Sequence, residues 1–171
     1  VKIALYESLV LSILLSGGEV WTLDKARRKQ LETFHRTQIR RILGKRRDEV
    51  VAPNDLLAEA EATTIALKIA VQKILFASGM HTFPDDLSAD TLEVLDEEYT
   101  EWWRQFEAEL AELGFTAAEF DAAHPIFDPN DEPEVRAEAV RSRAKFLSDL
   151  AKKAKDLKPK RAQQPPQGAG S

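Results

Sequence analysis

Residues 24–44, DKARRKQLETFHRTQIRRILG, contain a helix together with the signals that start and stop it. Asp24 offers a side-chain acceptor to the first free N–H groups, and Gly44 stands just past Leu43, where a left-handed residue closes a helix. At about 100° per residue, Arg27, Leu31, Phe34, His35, Gln38, Ile39 and Ile42 share one side. Lys25, Lys29, Arg36, Arg40 and, were the helix to run on, Arg47 share the other as a cationic ridge, with Arg41, Lys45 and Arg46 adding charge near the C-terminal end. The pattern predicts that Thr22 to Gly44 forms a helix that packs on Val1 to Leu15 and buries Leu31, Phe34 and Ile42. Phe34→Ala is then expected to cost about 3–5 kcal/mol. His35 lies on the apolar side and reads as a packed histidine rather than a ligand or base. The ridge can follow a phosphate backbone, releasing a counterion for each phosphate neutralised; it equally suits a solvated face whose last-turn cations favour the helix dipole.

The flanking sequence is helical as well. Ile3, Leu5, Tyr6, Leu9, Val10, Ile13 and Leu14 recur at three and four, which predicts a buried helix ended by Ser16-Gly17-Gly18. Asn54-Asp55 can start a short helix, and Thr63 or Thr64 can cap one running to about Ser78. His81 to Asp86, with Pro84, reads as a loop, and Ser88 opens a long helix from Ala89 to Leu113 closed by Gly114. Thr116 and Glu119 form a capping box. His124 to Pro133 holds three prolines and reads as irregular, and Pro133 suits the first turn of a last helix ending near Leu157. From Lys158 the tail is rich in Pro, Gln and Gly. No stretch alternates with period two. The expected fold is therefore all-α, an irregular bundle of about five to seven helices with a disordered basic C-terminal tail.

Charge is segregated along the chain. Among 171 residues the net charge is -5, yet residues 1–54 carry +5, residues 55–134 carry -17 and residues 135–171 carry +7. Such a layout either supplies basic ends to a partner or neutralises itself within one fold. In the tail region Lys152, Lys153, Lys155, Lys158, Lys160 and Arg161 form a basic run suited to RNA or to an acidic neighbour.

Composition also excludes chemistry. There is no cysteine, so thiolate zinc sites and cysteine nucleophiles are out, and the three histidines, His35, His81 and His124, have no metal-binding spacing. Seven glycines make no phosphate-cradling loop. No metal or cofactor is expected. The apolar stretch Val1 to Leu15 is too short to span a bilayer, so the chain is not expected to cross a membrane. The chain opens on Val1, which implies a processed protein or a piece of something longer. Trp102, Trp103, Phe106, Leu110 and Leu113 read as core or partner interface rather than a base-stacking platform. Their acidic neighbours Asp96, Glu98, Glu101 and Glu107 read as a solvated face and would repel phosphates.

Several motifs follow one another in a suggestive order: Leu5-Tyr6, the apolar run to Leu15, Gly17-Gly18-Glu19-Val20-Trp21-Thr22-Leu23, Leu31-Glu32-Thr33-Phe34-His35-Arg36, Arg40-Arg41-Ile42-Leu43-Gly44, then Asn54-Asp55-Leu56-Leu57 and Phe83-Pro84-Asp85-Asp86. This set resembles the thumb and following segment of reverse transcriptases from non-LTR retroelements, over roughly the first half of the chain. The resemblance implies a helical region at residues 1–86 able to grip a template-primer duplex, followed by an acidic helical region with the last helix at 87–157 and a flexible tail at 158–171. It does not imply polymerase chemistry, because the family's palm aspartates, which hold two metal ions, have no counterpart here. Pro84-Asp85-Asp86 has no acidic-x-Lys near it to complete a nuclease site. Where the family has a basic helix ending in Gly-His, this chain has only Lys68 and Lys73, with Ser78-Gly79 in place of Gly-His.

Two readings of function follow. One is a non-catalytic structural or accessory subunit, a retroelement fragment recruited into a larger assembly such as an organellar ribosome or a membrane complex, with protein subunits as partners and no small-molecule substrate. The other is the nucleic-acid-binding thumb module itself. In both, contacts to RNA or an acidic partner fall to Lys25, Lys29, Arg36, Arg40, Arg41, Lys45, Arg46, Arg47, Lys152, Lys153 and Lys155, and the setting is intracellular, with mitochondria one candidate compartment.

Overall fold

The computed structural model describes residues 1–46, 48–80, 96–125 and 132–160. Among these residues there are seven helices and no strand, an all-α bundle. Helix α1 is continuous through Lys2–Leu5, Tyr6–Leu11 and Ser12–Leu14, the middle piece wound as a π-helix. A 3-10 turn, Gly18–Val20, leads into α2 (Lys25–Ile42). Then come α3 (Pro53–Glu59), α4 (Ile65–Met80), α5 (Asp96–Glu112), α6 (Ala117–Ala123) and α7 (Pro133–Asp156).

Helix α3 starts at Pro53 with no side-chain cap, one residue before the Asn54-Asp55 start expected; the other ends below follow the sequence. Asp24 Oδ1 accepts the Arg27 N–H at 2.7 Å. Thr64 Oγ1 accepts the Leu67 N–H at 3.2 Å at the start of α4. Thr116 and Glu119 cap α6 reciprocally. Gly44 and Gly114 both take positive φ just past a helix end. The loop expected at His81 to Asp86, the first turns expected from Ser88, the motif Phe83-Pro84-Asp85-Asp86, residue Arg47 and the tail from Arg161 onward lie outside the described residues.

Two apolar clusters form the core. One holds Tyr6, Leu11, Leu15, Ile39, Leu56, Leu57, Ile65 and Ile69; the other holds Ala70, Ile74, Trp102, Phe106, Leu110, Phe120, Phe146 and Leu150. Helix α4 supplies both, its N-terminal half to the first and its C-terminal half to the second.

Two expectations about buried faces are corrected. In α1, Leu5, Leu9 and Ile13 are 54%, 60% and 77% exposed and Val10 is exposed too, whereas Tyr6, Leu11 and Leu15 are buried. The cause is the π turn. Its i→i+5 bonding places residues five apart on one face, so Tyr6 is followed inward by Leu11 and not by Val10. The Ser12 hydroxyl donates to the carbonyls of Ser8 (2.5 Å) and Leu9 (3.2 Å), satisfying acceptors inside this loosened winding. In α2, Phe34 is 40% exposed and Leu31 and Ile42 are half-buried, while His35 and Ile39 are fully buried. Polar anchors turn this helix. Arg28 reaches Glu109, and Glu32 Oε1 accepts the Ala66 N–H at 2.9 Å, so the inward face is centred on Arg28, Glu32, His35 and Ile39.

Candidate interaction surfaces

The α2 cations divide by what they touch. Lys25, Lys29 and Arg41 are exposed, as are Arg27 on the same helix and Arg46 beyond it. Arg36 is half-buried, and its Nε donates to the Glu32 carbonyl at 3.2 Å. Arg40 spends its guanidinium on the loop that follows, donating to the Arg46 carbonyl at 2.8 Å and also to that of Glu49. Lys45 sits between Glu59 (3.0 Å) and Glu49 (3.6 Å), and its hydrogen bond to Glu59 holds its pKa above the ordinary lysine value. The ridge read from the sequence is thus open along Lys25 and Lys29 and engaged internally at Arg36 and Arg40. The outward side of α2 carries Arg27, Lys29, Gln30, Thr33, Phe34, Thr37 and Arg41 and no carboxylate, because Glu32, the only acidic residue of the helix, is turned in to α4.

On α7, Lys152 pairs with Asp149 at 3.3 Å. Lys153 donates to the Gly114 carbonyl and lies 3.7 Å from the Phe115 ring centre, closing the end of α5 as a cation–π cap. Lys155 is exposed. Helix α2 packs on α1, α3 and α4, whereas α7 packs on α4 and α6, so the two groups of cations are carried by helices that meet α4 separately.

Three polar clusters lie inside. The first joins the two apolar clusters. Arg28 donates to Glu109 Oε1 at 2.7 Å and to Gln105 Oε1 at 3.2 Å, and Lys73 Nζ lies 3.4 Å from each of the same two atoms. Gln105 Oε1 also accepts the Leu23 N–H, and Trp102 Nε1 donates to the Glu19 carbonyl at 2.8 Å, which ties the Gly18–Leu23 segment to α5. Lys73 is fully buried, and desolvation holds its pKa below the ordinary lysine value against the pull of Glu109. Neither Lys73 nor Glu109 was singled out from the sequence as part of a buried network. The signal was present: Lys73 falls on the stripe of Ile69, Ala70, Ile74 and Ala77, and Glu109 on that of Trp102, Phe106, Leu110 and Leu113.

In the second, His35 is packed as expected. Its Nε2 faces the Thr63 carbonyl at 2.9 Å and so carries the proton, leaving Nδ1 to accept from the Tyr6 hydroxyl at 3.0 Å. Burial holds His35 below the ordinary imidazole pKa, and burial together with Glu7 pushes Tyr6 up to about 12.

In the third, His124 Nδ1 donates to the Phe120 carbonyl at 2.7 Å, so Nε2 accepts from the Ser78 hydroxyl at 2.7 Å, and Arg143 Nε donates to Ser78 Oγ at 3.0 Å. This geometry resembles an activated serine, but Ser78 is fully buried and His124 is sandwiched against the rings of Phe120 and Phe146. The Ser78 hydroxyl is closed to solvent as it is placed. No group of three or more His, Cys, Asp or Glu able to hold a metal occurs among the described residues, and no helix there is long and apolar enough to cross a membrane.

Comparison with protein-family models, with curated proteins and with solved structures finds no match.

Proposed function

We propose that this chain is a non-catalytic helical accessory subunit of a larger assembly, derived from the thumb region of a non-LTR reverse transcriptase. The observation that carries the reading is the row Leu5, Leu9 and Ile13 on α1. Three large apolar side chains at steps of four stand 54–77% exposed along one side of a helix whose other side buries Tyr6 and Leu11. A stripe of this kind marks an interface, and an i, i+4 row is the pattern by which a helix meets a protein surface. The side chains of Ser78, His124, Lys73 and Glu109 are buried. The ancestral part of the reading rests on the order of motifs between Leu5 and Leu57.

The test is a triple change, Leu5→Gln, Leu9→Gln and Ile13→Gln. The variant is expected to keep its fold and thermal midpoint while dropping out of the native particle on size fractionation. Retention of the variant in that particle would refute the interface.

A second reading is supported by the carboxylate-free outward side of α2. Lys29 and Arg41 there, with exposed Lys25 beside them, suit sequence-independent contact with a phosphate backbone, while Arg27 pairs with Asp24 at 3.7 Å. Replacing Lys25, Lys29 and Arg41 by Ala is expected to lower the salt slope of RNA-duplex binding by about one unit for each phosphate no longer neutralised. No detectable binding by the parent at low salt would leave the accessory-subunit reading alone.

A further inference from the structure

Helices α1 and α7 both lean on α4 and leave a groove of about 570 Å³ between them, within the range of about 300–1,000 Å³ common to small-molecule sites. Its floor is Leu67 and Val71 of α4. Leu11 and Leu15 of α1 form one wall, and Ala151 and Ala154 of α7, both small, form the other.

One end of the groove carries Lys155 and Lys158 and the other carries Gln72. Arg143 near the start of α7 bonds Ser78 near the end of α4, while Ala151 to Lys158 share the groove with Thr63 to Gln72. The two helices therefore run antiparallel, which brings Lys155 and Lys158 beside Thr63 and Leu67 and leaves Ala151 beside Val71 and Gln72. At the lysine end Lys68 is already matched by Glu7 at 3.0 Å. Lys155 and Lys158 are exposed, so this end carries a net positive charge. Thr63 also lines this end.

We propose that this groove binds a single-chain amphipathic carboxylate, its alkyl chain along Leu67 and Val71 between the α1 and α7 walls and its head between Lys155 and Lys158. From Ile65, where α4 begins, to Gln72 the groove runs along seven residues of rise, about 10.5 Å, which with the step back to Thr63 suits one medium alkyl chain and is too short for a two-chain lipid lying lengthwise. The charge at the mouth selects an anion over a cation of the same chain.

The experiment titrates the full chain with dodecanoate below its micellar concentration and follows backbone amides by NMR. Saturable one-to-one binding is expected, with the largest shifts at Leu67, Val71, Ala151 and Ala154. Dodecyltrimethylammonium, with the same chain and a cationic head, is expected to bind about tenfold more weakly. Two variants keep the test decisive. Lys155→Glu with Lys158→Glu changes exposed residues only, should leave the thermal midpoint in place and should weaken dodecanoate about tenfold. Ala154→Phe narrows the wall and should abolish binding of either compound. The proposal is overturned if dodecanoate does not bind, if the double charge reversal leaves its affinity within about twofold, or if shifts map to the α1 row Leu5–Leu9–Ile13 instead. Clearly tighter binding of dodecyl phosphate would overturn the carboxylate assignment. None of these outcomes depends on whether the α1 row docks a protein.

Discussion

Phe34 and Ile39 show how far a residue's role can be read from its place on a helical wheel. Both lie on the apolar side of α2, yet Phe34 is 40% exposed and Ile39 is fully buried. Phe34→Ala is therefore expected to cost less than about 1 kcal/mol, not the 3–5 its size alone suggests, while Ile39→Ala should cost about 2–5 kcal/mol. Urea midpoints of the two variants decide it, and equal costs would contradict the observed rotation of α2. His35 was legible as a packed histidine because it sits between Leu31 and Ile39 on that side. Its partners Tyr6 and Thr63 were not, since both lie 28 or more positions away. Burial holds its pKa down, so the unfolded chain takes up a proton first as the solution is acidified. Stability should be level above about pH 6.5 and fall below it. Tyr6 works in the other direction: raised to about 12, it should withdraw stability as pH climbs past about 10. A His35→Gln variant compared with the parent at pH 7.5 and 5 should lose the acid-side slope; an unchanged slope would assign it to other groups.

At the scale of elements, helix ends were the most legible feature and helix faces the least. Ends are written locally: Asp24, Thr64, Thr116 with Glu119, Gly44 and Gly114 each act within a few residues. Faces depend on winding and on distant partners. The π turn in α1 cannot be recognised from spacings of three and four, because Leu5–Leu9–Ile13 and Tyr6–Leu11–Leu15 are both coherent rows and only packing selects between them. The selection has an energetic consequence. Leu11→Ala should cost about 2–5 kcal/mol, whereas Leu5, Leu9 and Ile13 changed singly to Gln should each stay within about 0.5 kcal/mol. Thermal midpoints of the four variants would expose an error in the winding, since a regular α-helix through this segment would make Leu9 and Val10 far more sensitive than Leu11.

For the whole molecule, the two apolar clusters meet along α4, and the joint is ionic. Arg28 comes from α2, Lys73 from α4, and Gln105 and Glu109 from α5, so one carboxylate oxygen holds three helices together. The strongly acidic middle of the chain suggested repulsion of polyanions. It did not suggest that one of its carboxylates would be sealed inside, because net charge over a block says nothing about which member is buried. Glu109→Ala removes the carboxylate bonded to buried Lys73 and to Arg28, and a cost of about 3–5 kcal/mol is expected. Replacing the pair together, Lys73→Met with Glu109→Leu, should recover most of that loss, because apolar groups of similar volume carry no desolvation penalty. Arg28 is part-exposed and can turn to water. The joint also bears on cooperativity. In the parent, amide exchange at Leu11 in the first cluster and Leu110 in the second should show the same global opening free energy. In Glu109→Ala the two should separate, as each cluster opens alone. Equal protection in that variant would mean that α4 itself couples the halves and that the ion network is dispensable.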